Sequence, residues 1–158
     1  MDDCVFFFFA LYYFMYHSYF YGEHTMTDYF HLSAGQDDIR AVSNLGLAHL
    51  GDGVYELMVR SWLVLHGKAT SRGLHRATVR LVAAPAQAAL TEKILPVLSE
   101  EEADVFRRGR NTSPHTVPKA ASREQYQAAT ALEALFGYLY LQGKTERLNE
   151  LFTLMMGE

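Results

Sequence analysis

Between Asn44 and His66 the apolar side chains Leu47, Leu50, Val54, Leu57, Met58, Trp62 and Leu65 recur at steps of three and four. That is the spacing of one helix face, so the pattern predicts a long helix stopped by Gly67, with the face around Val54, Leu57, Met58 and Trp62 serving either as core or as a contact between copies. Ser71 is placed to cap a second helix running through Leu81 and Val82. Pro85, tolerated in a first turn, restarts a helix through Leu95, and Pro96 ends it. Two capping boxes follow: Ser99-Glu100-Glu101-Glu102 opens a short helix to Arg108, and Ser122-Arg123-Glu124-Gln125 opens one through Leu141, closed by Gly143. Thr145 caps a last helix on which Leu148, Leu151, Phe152 and Met155 share a side. No alternating strand pattern with hairpin turns occurs from residue 36 onward, so the expected fold is an all-α domain of five to seven helices. Gly109 to Ala121, rich in turn formers and free of acids, reads as an exposed loop.

Length and composition narrow the class. A chain of 158 residues fits one compact domain, since chains divide only past roughly 250 residues. With 49% hydrophobic and 20% charged residues, it is neither a disordered acidic chain, a collagen-like rod nor a polytopic membrane protein. The net charge of -4 argues against a generally basic nucleic-acid coat and leaves local basic faces open. Cys4 is the single cysteine, so there is no disulfide partner within the chain and no CxxC metal site; the chain reads as cytoplasmic.

The N-terminus stands apart. Thirteen of the aromatic residues lie between Phe6 and Phe30. Asp2 and Asp3 precede the apolar run and no base occurs before Arg40, which is not the pattern of a secretory signal. The stretch from Cys4 to Tyr21 approaches the shortest membrane span, yet Tyr12, Tyr13, Tyr16, His17, Ser18 and Tyr19 carry polar tips. The preferred reading is an appended or mis-started extension over 1–25, with translation beginning near Met26 and the functional domain over 26–158; a membrane anchor is the alternative. Residues 1–25 hold three acids and no base, which leaves the rest at -1.

Two acids sit where the pattern expects apolar residues. Asp52 falls inside the long helix within Leu50-Gly51-Asp52-Gly53-Val54-Tyr55-Glu56. Its two flanking glycines each cost a helix about 1 kcal/mol relative to alanine, which points to close approach by another backbone or a ligand. Glu56 lies one turn on, on the same side. Glu133 interrupts the apolar run Ala129 to Tyr140, where a charge is costly to bury unless paired or metal-bound. One reading pairs Asp52 and Glu56 with arginines such as Arg60 or Arg107. The other brings Asp52 and Glu133 together on Mg²⁺, a hard ion that takes one or two carboxylates and completes its shell with water and phosphate.

The bases are grouped. Lys68, Arg72, Arg76 and Arg80 recur every four residues with no acid between His66 and Glu92, and Arg107, Arg108, Arg110, Lys119 and Arg123 surround the acid-free loop. A solvated surface explains either cluster alone; both together favour a polyanion. His75 and His115 have no partners at metal-ligand spacing and read as accessory contacts or surface residues.

Five stretches in order carry a resemblance: Leu50 to Glu56, Leu74-His75-Arg76-Ala77-Thr78, Arg107-Arg108-Gly109-Arg110-Asn111, Pro118-Lys119, and Leu132 to Tyr140. From about Gln36 to the C-terminus the chain resembles the mini-ribonuclease III family, the ribonuclease III catalytic domain without its double-stranded-RNA-binding domain. The resemblance implies an all-α, homodimeric endonuclease acting on double-stranded RNA with Mg²⁺, maturing the ends of precursor 23S ribosomal RNA. Asp52 matches the family's catalytic aspartate and Glu133 its metal-binding glutamate. By the same resemblance Arg72, His75, Arg76 and Arg80 face RNA, as do Arg107, Arg108, Arg110, Asn111 and Lys119. Larger relatives carry two further carboxylates, where this chain has Ala48 and Thr130, and Pro85 stands where relatives often have a base. The competing class is a non-catalytic helical module that binds double-stranded RNA, its acids only positioning arginines.

Overall fold

The computed structural model describes residues 28–67, 70–112 and 120–157. The extension over 1–25, Lys68, His115 and Lys119 lie outside the described residues. The chain divides into two compact units, Met1–Phe30 and His31–Glu158, and the helices below all belong to the second. They are α1 (Gln36–Ala41), α2 (Asn44–His66), α3 (Ser71–Val82), α4 (Ala84–Thr91), α5 (Glu100–Arg110), α6 (Arg123–Leu141) and α7 (Thr145–Met156), with a 3₁₀ turn at Leu95–Val97. No strand occurs among the described residues. The fold is therefore all-α, as the sequence pattern predicts.

The ends of the helices follow local chemistry. Ser43 accepts a hydrogen bond from the Gly46 N–H at the start of α2, and Gly67 closes its end. Both capping boxes form, Ser99 with Glu102 and Ser122 with Gln125. Three expectations shift. Thr70, not Ser71, caps α3 through Gly73 N. Lys144 stands at the N-cap of α7 without a side-chain bond, and Thr145 is the first helical residue. The helix after Pro85 stops at Thr91 rather than Leu95: Lys93 and Ile94 bond back three residues into tighter turns, because Pro96 offers no N–H and keeps Leu95 from extending the α spiral. The short α1 has no side-chain cap and buries only Ile39, so no periodic signal marks it.

α6 is the central helix. Ten of its residues are buried, and α2, α4, α5 and α7 all pack on it. The inward face of α2 is only partly the row that the spacing picks out. The buried residues are Leu47, Ala48, Gly51, Tyr55, Val59 and Leu63, an i,i+4 row, whereas Leu57 is 53% and Leu65 80% exposed. Apolar residues ring this helix, and the row that faces α6 is chosen by shape. Tyr55 is fully buried, meets Phe136 and Phe152 edge to face at 5.7 and 6.2 Å, and donates its hydroxyl to the last turn of α3 at Leu81 O. Each such aromatic stabilises the core by about 2 kcal/mol through burial alone.

Gly51 and Gly137 let α2 and α6 touch backbone to backbone. A Cβ on Gly51 would lie 1.7 Å from the Glu133 carbonyl oxygen, and one on Gly137 would lie 2.1 Å from Leu47 O. Only a residue without a side chain fits either place.

Candidate metal centre

The glycine contact fixes what lies beside it. Asp52 follows Gly51 on α2, and Glu133 is the residue whose carbonyl Gly51 faces on α6. Glu133 is half-buried, and burial raises its carboxyl from 4.5 to about 7; the negative charge of Asp52 adds to the rise, and the nearby Gln87 amide works against it. Asp52 is also raised, first by burial and then by Glu56, with His49 one turn earlier opposing. The two carboxyls share one site, and each is pushed toward its neutral form. The structure thus brings together the two acids that the sequence singled out.

No described arginine neutralises them. Arg60 is taken by Glu56, with Nε donating to Oε1 at 2.8 Å, and Arg107 and Arg108 both pair with Asp104. The reading that pairs Glu56 with Arg60 holds, while the pairing of Asp52 with an arginine does not occur among the described residues. Two raised carboxyls sharing a site that no described arginine meets suit a divalent cation. Further His, Cys, Asp or Glu ligands do not join them: among the described residues there is no group of three or more placed to hold a metal ion. Ala48 and Thr130, buried on the same two helices, leave a two-carboxylate set.

Two residues near the acids escaped the sequence reading. His49 lies one helical turn before Asp52 and favours its charged form. Gln87 of α4 is fully buried beside Glu133, yet its Oε1 and Nε2 close no hydrogen bond. The i,i+3 step from His49 to Asp52 was visible in the sequence, whereas Gln87 sits in an alanine-rich stretch with no pattern to mark it.

The two glycines that flank Asp52 differ. Only Gly51 meets another backbone; a Cβ at Gly53 would have nothing within 4 Å. Among the candidate RNA contacts, Arg72, His75, Arg76 and Arg80 are exposed along α3, and Arg107, Arg108 and Arg110 are exposed along α5, followed by exposed Asn111. Asp104 offsets part of the second cluster, so α3 carries the less compensated stripe.

This is an all-helical domain with an acid pair at a glycine-tight helix crossing. A model of the ribonuclease III domain matches residues 45–144. A mini-ribonuclease 3 of Symbiobacterium thermophilum is 50% identical over 106 residues, covering 67% of this chain and 82% of its own. One from a Thermoanaerobacter species is 43% identical over 119 residues, covering 75% and 84%. The crystal structure of a Fusobacterium nucleatum protein superposes with a TM-score of 0.68 at 33% identity, covering 75% of this chain and 95% of that one. The chain belongs to the ribonuclease III family of endoribonucleases. Within that family its similarity runs to the mini-ribonuclease 3 proteins.

Proposed function

We propose that the chain is a Mg²⁺-dependent endoribonuclease that cleaves double-stranded RNA, with Asp52 and Glu133 as its metal ligands and catalytic acids. The observation that carries this reading is the proximity of two carboxyls, met by no described arginine, on helices locked by Gly51 and Gly137. A divalent cation held by Asp52 and Glu133 would supply activation of the attacking water and charge stabilisation for the departing 3′ oxygen. The protein's own part is to hold both carboxyls near one point on rigid helices rather than loops, where a bound cation would favour their ionised forms. Hydrolysis forms a bond from water oxygen to phosphorus and breaks the bond to the 3′ oxygen, leaving a 5′ phosphate and a 3′ hydroxyl.

Arg72, Arg76 and Arg80, with His75 beside them, follow phosphates along one side of the duplex; Arg107, Arg108, Arg110, Asn111 and Lys119 form the second contact. A-form RNA hides its bases in a deep groove, so this recognition is of backbone and 2′ hydroxyls, with little sequence preference. Cutting both strands takes two sites at fixed spacing, which a twofold homodimer supplies. The flank of α2 with Val54, Leu57, Met58, Trp62, Val64 and Leu65 suits that interface: Leu57 and Leu65 are more than half exposed, and Val54, Met58 and Trp62 pack partly on the core. Residues 26–158 form the catalytic domain and 1–25 an extension outside it. We assign precursor 23S ribosomal RNA, in the cytoplasm, as the substrate on family resemblance; no described helix is long and apolar enough to cross a membrane.

The test is a long perfect RNA duplex incubated with the purified chain, with and without chelator, alongside Asp52→Asn. Chelator-sensitive cleavage that Asp52→Asn abolishes, with duplex binding retained, is the expected result. Binding without cleavage in the wild-type protein would make it a non-catalytic duplex-binding module.

A further inference from the structure

Gln87 is a polar side chain with no stated purpose in the core. It is 0% exposed, and both ends of its amide are unpartnered. A buried amide in that state is costly, and replacing it by an apolar side chain of similar shape is neutral or stabilising for a fold that has no other use for it. Its backbone is held firmly: Thr91 Oγ1 donates to Gln87 O at 2.8 Å, and α4 packs along α6, the helix that carries Glu133. The amide is close enough to the Glu133 carboxyl to favour its charged form. An amide carries its donor and its acceptor on separate atoms, so one side chain can serve a carboxylate and a water at once. A carboxylate needs a donor, and a water on a divalent cation is itself a donor in need of an acceptor.

Resting on the metal-site reading above, we propose that Gln87 is a positioning residue for the cation. Its Nε2 donates to the ionised Glu133 carboxylate and its Oε1 accepts from a water in the cation's hydration shell. Partners of this kind orient the ligand and fix the metal's water, and losing one typically weakens metal affinity 10- to 100-fold. With only two carboxylates in the site, such support matters more than in a fuller ligand set.

The test uses the full chain and Mn²⁺ alone as probe, measured by calorimetric titration and by the metal-induced rise in Tm. Gln87→Met should leave the metal-free Tm unchanged or higher, weaken the Mn²⁺ Kd about tenfold, and lower kcat on duplex RNA with KM unchanged. Gln87→Glu, nearly isosteric, should lower the metal-free Tm and tighten Mn²⁺ binding by adding a third carboxylate. A Gln87→Met protein that loses Tm yet binds Mn²⁺ like the wild type would reduce Gln87 to a structural residue. Wild-type Mn²⁺ affinity in Gln87→Glu would equally overturn the proposal. Wild-type protein that binds no Mn²⁺ would sink the metal site itself and Gln87's role with it, an outcome separate from a failure of Gln87 alone.

Discussion

A methyl group at position 51 has nowhere to go. It would fall 1.7 Å from a main-chain oxygen of α6, so Gly51→Ala must push two helices apart across the centre of the domain. We expect a loss of about 3 kcal/mol in chemical denaturation, at the upper end for overpacking because the obstacle is backbone, together with loss of cleavage as Asp52 moves away from Glu133. Two residues along, Gly53→Ala meets open space, and should raise stability by about 0.5–1 kcal/mol through helix propensity and a stiffer unfolded chain. Opposite signs at neighbouring glycines separate close approach from mere flexibility. If both variants are neutral, the crossing is looser than described.

At the scale of elements, Glu102 performs two tasks. It completes the capping box of α5 by accepting from Ser99 N at 2.8 Å, and it takes a forked bond from Arg147 of α7, Nε and Nη2 each at 2.9 Å. Arg147 also donates to Val97 O, tying the 3₁₀ turn to the same knot. The guanidinium beside Glu102 holds its carboxyl below the usual range. Arg147→Met should therefore cost about 3 kcal/mol, because it leaves a buried carboxylate unpaired, whereas Arg40→Met, at an exposed pair with Asp37, should cost less than about 0.5 kcal/mol.

The sequence made elements legible where local chemistry decides them. The two capping boxes and Gly143 mark helix ends with side-chain or backbone bonds confined to a few residues. It was silent where tertiary shape decides. Apolar residues surround α2, so spacing alone selected Leu57 and Leu65, while the Gly51 and Tyr55 row actually faces α6. Asp52 and Glu133 stood out because each breaks an apolar run. Gln87 did not, because a glutamine on a short alanine-rich helix carries no signal until Glu133 is seen beside it.

For the whole molecule the acid pair dictates a pH dependence. The Glu133 carboxyl is raised to about 7 in the folded state from 4.5, so between those values the folded protein holds a proton that the unfolded chain releases. Stability without metal is then full from this group below pH 4.5 and falls as pH rises toward 7, by up to about 3 kcal/mol. Glu102 acts in the opposite sense: its contribution is present above the ordinary carboxylate value and is lost as pH falls through its lowered one. Urea midpoints measured in chelator should decline from pH 5 to pH 8, and millimolar Mg²⁺ should remove most of the decline, since the cation takes the place of the proton. A midpoint flat with pH in chelator would mean that Glu133 is not burdened as described.

The convergence of two acids on one cation is tested most directly by crystals soaked in Mn²⁺. Anomalous scattering should show one ion bonded to a carboxylate oxygen of Asp52 and to one of Glu133, and the peak should vanish in Glu133→Gln. An ion that touches Asp52 alone and persists in that variant, or no ion at this crossing at all, would contradict a shared site.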